Sequence, residues 1–68
     1  MSEKIKGRIT EILPDGKYRV ELEPERVVMC YVAGKMIHNG IRVVLGDWVD
    51  VQLDPYGGKA TNRIVRRL

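Results

Sequence analysis

Apolar and polar residues alternate one by one along most of this chain. Ile5, Gly7 and Ile9 alternate with Lys4, Lys6, Arg8 and Thr10, the period of a strand with one buried face. The run ends at Ile12-Leu13 and meets Pro14-Asp15-Gly16, a strong turn signal. Tyr18, Val20 and Leu22 then alternate with Lys17, Arg19 and Glu21, so the two runs read as a hairpin. Glu23-Pro24-Glu25-Arg26 is a second turn, because proline cannot donate to a ladder. Residues 27–32 are almost continuously apolar, which predicts a strand buried on both faces.

The segment GKMIHNGIR, residues 34–42, breaks this pattern. Two glycines, Gly34 and Gly40, and three basic or titratable residues, Lys35, His38 and Arg42, are mixed with Met36, Ile37 and Ile41. It fits neither a strand nor a long helix. Residues 41–45 are, Arg42 apart, apolar and rich in β-branched side chains, and Gly46-Asp47 ends them. Val49, Val51 and Leu53 alternate with Trp48, Asp50 and Gln52. Asp54-Pro55-Tyr56-Gly57-Gly58 is a third breaker, and residues 61–68 form a last strand around Ile64 and Val65. About five strands at intervals of roughly ten residues, without a long helix, predict a small all-β barrel. The candidates are a Greek-key barrel of the oligonucleotide-binding (OB) type and an SH3-like barrel. In the OB type a longer connection joins strands three and four, which is where residues 34–42 fall.

Length sharpens this picture. The chain has 68 residues, one domain spanning 1–68. A chain of this size buries only roughly 60% of its unfolded surface, so it needs a staple or a closed architecture. A single cysteine, Cys30, forms no internal disulfide, and no Cys/His cluster has zinc spacing. A closed sheet that hides its own edges remains. The first residues, Met-Ser-Glu-Lys-Ile-Lys, lack the apolar run of a signal peptide. No window approaches about 18 apolar residues, and a lone cysteine suits a reducing compartment. The expected location is the cytoplasm, with no membrane partner.

Charge adds a direction. The net charge is +3, yet residues 1–54 carry eight Lys/Arg against nine Asp/Glu. The excess lies in the tail, with Lys59, Arg63, Arg66 and Arg67 and no acid. A basic end fits an anionic partner, nucleic acid before membrane surface, or a solvated charged terminus. By simple alternation Arg63 and Arg67 share one strand face, about 13 Å apart at about 3.3 Å per residue, while Arg66 points the other way. Two such guanidiniums could track a phosphate backbone or protect a charged edge strand.

Catalytic constellations are missing. His38 is the only histidine. A Cys30/His38 pair could in principle activate the thiol, but Cys30 lies in an apolar run, which predicts an inert buried thiol. No phosphate-binding glycine pattern is present, and Asp47 and Asp50 read as ordinary solvated carboxylates. No enzyme, metal or cofactor is expected. Nucleic-acid chemistry needs cations and flat side chains. Tyr18 shares the parity of Val20 and Leu22 and belongs to the core. Tyr31 ends its strand beside the central connection and presents its ring there, and Tyr56 lies in the third breaker. Trp48 has the parity of Asp50 and Gln52 and lies on the outer face. There it is a stacking platform, a protein contact or cover for the barrel flank.

The order of motifs is then informative. Gly7, Leu13-Pro14, Tyr18-Arg19-Val20-Glu21-Leu22, Val27-Val28, Gly34-Lys35-Met36, Asn39, Ile41-Arg42, Gly46-Asp47, Val49, Val51, Leu53, Pro55-Tyr56 and Arg63-Ile64-Val65 stand in an order and spacing that are specific together. On these residues the chain resembles the bacterial translation initiation factor one family, from about Gly7 to Arg66. The resemblance implies a five-stranded Greek-key OB-fold barrel with a short helical turn or loop between strands 3 and 4. It further implies a monomer that binds the small ribosomal subunit at the decoding A site. There it would meet 16S rRNA and a neighbouring ribosomal protein, and help the other initiation factors place the initiator tRNA, without catalysis or cofactor.

The family's RNA-facing loop usually reads Gly-Lys-Met-Arg-Lys-Asn-Tyr-Ile-Arg. Here Ile37, His38 and Gly40 replace its Arg, Lys and Tyr, so Lys35 and Arg42 are the fixed charges left. Tyr31 stands where the family often has His, Trp48 where it often has Lys, and the loop at Gly57-Gly58 is one residue longer. The expected RNA-binding residues are Lys35, Met36, His38, Asn39, Arg42, Arg63, Arg66, Arg67 and Tyr31, with Trp48 as a stacking or partner surface. Gly34 and Gly40 are expected to admit a close approach or a sharp turn. His38 is either a surface residue without a role or a phosphate contact that gains charge in mild acid. Two other readings compete. A generic single-stranded RNA-binding or RNA-chaperone domain of the OB/S1 type places several aromatics on one face, whereas those here are few and scattered. A protein-interaction barrel would anchor on Trp48.

Overall fold

The computed structural model describes residues 4–22, 25–54 and 62–68. The elements are β1 (Lys4–Leu13), a 3-10 turn (Pro14–Gly16), β2 (Lys17–Leu22), β3 (Arg26–Val32), α1 (Gly34–His38), β4 (Trp48–Gln52) and β5 (Asn62–Arg67). The sheet closes on itself in the order β1-β2-β3-β5-β4. Every pairing is antiparallel except β3 with β5. This is the all-β, five-stranded OB-type barrel that the strand pattern and the motif order predict. Closure removes the unpaired edges that a sheet this small would otherwise expose. The expected turn at Glu23-Pro24 and the breaker through Pro55, Tyr56, Gly57 and Gly58 lie outside the described residues.

The inward positions follow the alternation. Ile9, Val20, Leu22, Cys30, Val49, Val51 and Ile64 are fully buried, and Met36 and Val43 join them from outside the sheet. Tyr18 packs against this core, as its parity predicts. Gly7 also points inward. A methyl group there would lie 2.5 Å from Val20 Cγ1 and 2.8 Å from Leu22 Cδ2, so the facing side chains fill its place. The first hairpin turns through Asp15 and Gly16, both left-handed, at φ 67° and 70°. Asp and Gly are the residues that tolerate this conformation best.

Three expectations need correction. Residues 27–32 are not buried on both faces: Cys30 is buried, while Val27 is 52% exposed and Tyr31 is exposed as well. In a single closed barrel each strand has one inner face, so the outward apolar residues of β3 remain at the surface. Residues 41–45 form no strand. Val43 alone enters the core, and the segment is held by Asp47, whose carboxylate accepts a hydrogen bond from the Val44 amide at 2.8 Å. Asp47 is thus a turn-forming residue rather than merely a solvated acid. Gly46 N–H donates to Ile9 O (2.8 Å) and Ile9 N–H to Asp47 O (2.9 Å), which ties this turn to β1.

The third correction concerns the basic strand. In the β4–β5 ladder Asp50 faces Arg66 but the next residue, Val51, faces Ile64. Val65 is therefore an extra, bulged residue, and a bulge reverses the inward–outward parity that follows it. Arg63 and Arg66 consequently share the outer face. They sit opposite Gln52 and Asp50, two ladder positions apart, roughly 7 Å along the strand rather than 13 Å. Arg67 lies at the strand end and donates from its guanidinium to Arg42 O at 3.0 Å.

Candidate nucleic-acid interface

The connection between β3 and β4 is built from backbone bonds and one buried anchor. Ala33 N–H donates to Ile64 O (2.9 Å), which fixes the start of α1 against β5. The helix ends in a Schellman arrangement: Gly40 N–H donates to Ile37 O (3.1 Å) and Ile41 N–H to Met36 O (2.9 Å). That motif needs a left-handed residue at its turn, and Gly40 supplies it with φ 70°. Gly34 has no such requirement and open space around it, so the expected sharp turn belongs to Gly40 alone. Met36 is 3% exposed and packs in the core. Its expected RNA contact is therefore corrected: the side chain anchors α1 and is out of a ligand's reach.

The anchor turns the rest of the connection outward. Lys35, His38, Asn39 and Arg42 are all exposed. Arg67, bonded to the Arg42 carbonyl, joins them from β5. Tyr31, 38% exposed, pairs in register with Lys17 on one side and Arg63 on the other. The expected residues other than Met36 and Trp48 thus gather around the 34–42 connection and the adjoining β3–β5 surface, with Arg66 further along β5.

A groove of about 680 Å³ runs beneath this connection. Its walls are Asp15 and Gly16 of the first hairpin, Tyr18, Tyr31 and Val32 of β2 and β3, and Ile37 and residues 40–44 of the connection. Its position matters, because OB barrels take oligonucleotides on the strand 2–3 face and the loop between strands 1 and 2. Aromatic and aliphatic walls of this kind could accept an unstacked base, and Arg42 at the wall places a cation beside it. The aliphatic part, Ile37, Ile41 and Val44, is not singled out by the sequence pattern, whose only signal is the apolar residues mixed into positions 36–45.

Cys30, by contrast, offers no chemistry. It is fully buried, and burial pushes its thiol up from 9.0 to about 12, the opposite of an activated nucleophile. Among the described residues no group of three or more His, Cys, Asp or Glu is placed to hold a metal ion, and no helix is long and apolar enough to cross a membrane. Asn62, a polar residue at an inward position of β5, has its amide occupied: Oδ1 accepts from Asp54 N–H (2.9 Å) and Nδ2 donates to Met29 O (3.2 Å).

Trp48 lies on the outer face, as its parity predicts, and is 41% exposed. Two residues that the sequence pattern does not single out stand with it. Lys6 Nζ is 4.8 Å from the ring centroid and Arg8 Cζ is 5.9 Å. Such exposed cation–π contacts contribute about 0.5–1 kcal/mol each. Lys6 and Arg8 look like routine solvent-facing lysine and arginine in sequence, since the strand that brings Trp48 to them begins some forty residues later.

The chain's kinship follows from these same residues. The family model for translation initiation factor 1A / IF-1 matches residues 2–68. The chain belongs to that family. It is 45% identical over 53 residues to translation initiation factor IF-1 of Azorhizobium caulinodans, and 45% over 53 residues to that of Rhodopseudomonas palustris. Each match covers 78% of this chain and 58% of the relative, so it spans under two thirds of those proteins. Among solved structures, the initiation factor of the same family from the Wolbachia endosymbiont of Brugia malayi superposes with a TM-score of 0.83 at 37% identity, covering 98% of this chain and 78% of that one. YjeQ from Thermotoga maritima gives a TM-score of 0.78 at 21% identity, covering 97% of this chain and 23% of that chain, a likeness of fold alone. The family membership and barrel anticipated from the motif order are therefore established.

Proposed function

We propose that this member of the IF-1 family acts in translation initiation by binding the small ribosomal subunit at the decoding A site. There it assists placement of the initiator tRNA together with the other initiation factors. The observation that carries the reading is the groove between Tyr31 and the 34–42 connection, with Lys35, His38, Asn39 and Arg42 exposed beside it. A cationic rim positions the phosphates of 16S rRNA, and the groove accepts an unstacked base, so selection rests on RNA shape rather than on base edges. Arg63, Arg66 and Arg67 extend the positive surface along β5. The protein acts as a monomer in the cytoplasm, and its contact beyond RNA is a neighbouring ribosomal protein.

The reading is tested by binding of Lys35→Ala and Arg42→Ala to small subunits over a salt series. Each substitution is expected to weaken binding and to flatten the log–log salt slope by about 0.7–0.9 for every phosphate no longer neutralised. Unchanged affinity and slope in both variants would remove the connection from the interface.

A further inference from the structure

Charge on this barrel is sorted by face rather than by position in the chain. Along the outward side of the β1–β4–β5 ladder stand Lys4, Lys6 and Arg8, then Trp48, Asp50 and Gln52, then Arg63 and Arg66. Among these described residues five are cations and one is an acid. The amino-terminal basic residues, which the sequence balances against distant acids, lie across β4 from the basic tail strand. In the midst of them is the chain's single tryptophan. It is exposed and outside the core.

We propose that this face is a second RNA surface, on which Trp48 stacks one unpaired base of a single strand while Lys6 and Arg8, moving off the ring that they cover in the free protein, hold the adjoining phosphates together with Arg66. The surface shares Arg66 with the positive strip along β5, but Trp48, Lys6 and Arg8 stand on β4 and β1, away from the 34–42 groove, and it does not depend on the function proposed for that groove. Two properties select the ligand. The excess of positive charge selects an anion, and salt-dependent attraction to phosphates is the ordinary consequence. The indole selects a flat partner, since every base has a face that stacks on an aromatic ring. A partner both anionic and flat is a nucleotide in a single strand; in a duplex the base faces are already occupied. The geometry places phosphate ligands on both sides of the ring's strand. Lys6 faces Asp50 from β1, Arg66 faces the same residue from β5, and Trp48 is two residues along β4. Neighbouring strands are about 4.8 Å apart, so the flanking cations are based roughly 10 Å apart. One aromatic makes this a one-base platform, not the multi-aromatic sheet of a general single-strand binder.

The sole tryptophan is its own probe. The full chain is titrated with a single-stranded RNA octamer, a duplex of the same length, inorganic polyphosphate and vesicles containing phosphatidylglycerol, and Trp48 fluorescence is followed. Saturable quenching by the single strand, with little from duplex or polyphosphate, is expected. In anisotropy with a labelled octamer, Trp48→Leu should bind about fivefold or more weakly, and Trp48→Phe should keep most of the affinity. Lys6→Gln with Arg8→Gln should weaken binding and lower the salt slope by about 0.7 for each phosphate of the single strand no longer neutralised. Lys35→Ala and Arg42→Ala should leave the quenching intact, which separates this surface from the groove. Absent quenching, quenching by polyphosphate equal to that by RNA, stronger binding to vesicles than to the octamer, or loss of quenching in the Lys35 and Arg42 variants would each overturn the proposal.

Discussion

Gly7→Ala tests how the barrel brings its surfaces together. The added Cβ would lie 2.5 Å from Val20 Cγ1, 2.8 Å from Leu22 Cδ2 and 3.1 Å from Glu21 O. Carbon pairs prefer about 3.5–4.0 Å, so the methyl overlaps two side chains by roughly 1 Å. Val20 and Leu22 are both fully buried, so shifting either disturbs the core around it. Overpacking of this kind costs about 1–3 kcal/mol, against which alanine's smaller unfolded-state freedom returns about 0.4–1 kcal/mol. A net loss of about 1–2 kcal/mol corresponds to a fall in Tm of about 4–16 °C for a domain of this size. Thermal unfolding followed by far-UV circular dichroism measures it. Trimming the obstacle should help: Val20→Ala added to Gly7→Ala should cost less than the two separate losses together. A Tm equal to or above that of the parent, or strict additivity in the double variant, would refute the idea that β1 needs a bare backbone here. The consequence reaches the surface, because Gly7 lies between Lys6 and Arg8 and so sets how both meet Trp48.

Three further outcomes are expected. Gly40→Ala should lower stability by about 1 kcal/mol through left-handed backbone strain alone, since nothing lies within 4 Å of its Cβ position; thermal unfolding and faster amide exchange at Ile41 would report it. Asn62→Ala should cost about 1–3 kcal/mol in chemical denaturation by leaving Met29 O and Asp54 N–H without their side-chain partner. Cys30 has a folded pKa raised from 9.0 to about 12, so its contribution is fully present below pH 9 and lost as pH rises toward 12. The stability difference between the parent and Cys30→Ala should therefore be flat up to about pH 8.5 and shrink above pH 9, as read from denaturant midpoints.

The strands were legible because burial on one face imposes period-two alternation, and Ile5 to Ile9, Tyr18 to Leu22 and Val49 to Leu53 display it without interruption. The outer position of Trp48 and the core position of Tyr18 follow from the same parity. Parity fails where the pairing partner decides the geometry. The bulge at Val65 arises in the β4–β5 ladder and moves Arg66 to the face of Arg63, which no local pattern announces. Met36 belongs to the Gly-Lys-Met motif by which the chain resembles its family, yet it is the apolar anchor that lets its charged neighbours face outward. The Lys6–Arg8–Trp48 cluster joins residues some forty positions apart, so only the closure of β1 onto β4 reveals it. Gly40 was legible as a site for a sharp turn, and its φ of 70° supplies one, closing the Schellman turn.

Binding of the groove and the 34–42 connection to RNA at the decoding site is tested by co-sedimentation of the full chain with small ribosomal subunits across a salt series, with and without an aminoglycoside occupying that site. The predicted result is binding that falls linearly in log K against log salt and is displaced by the aminoglycoside. Binding that ignores both the salt and the competitor would contradict it.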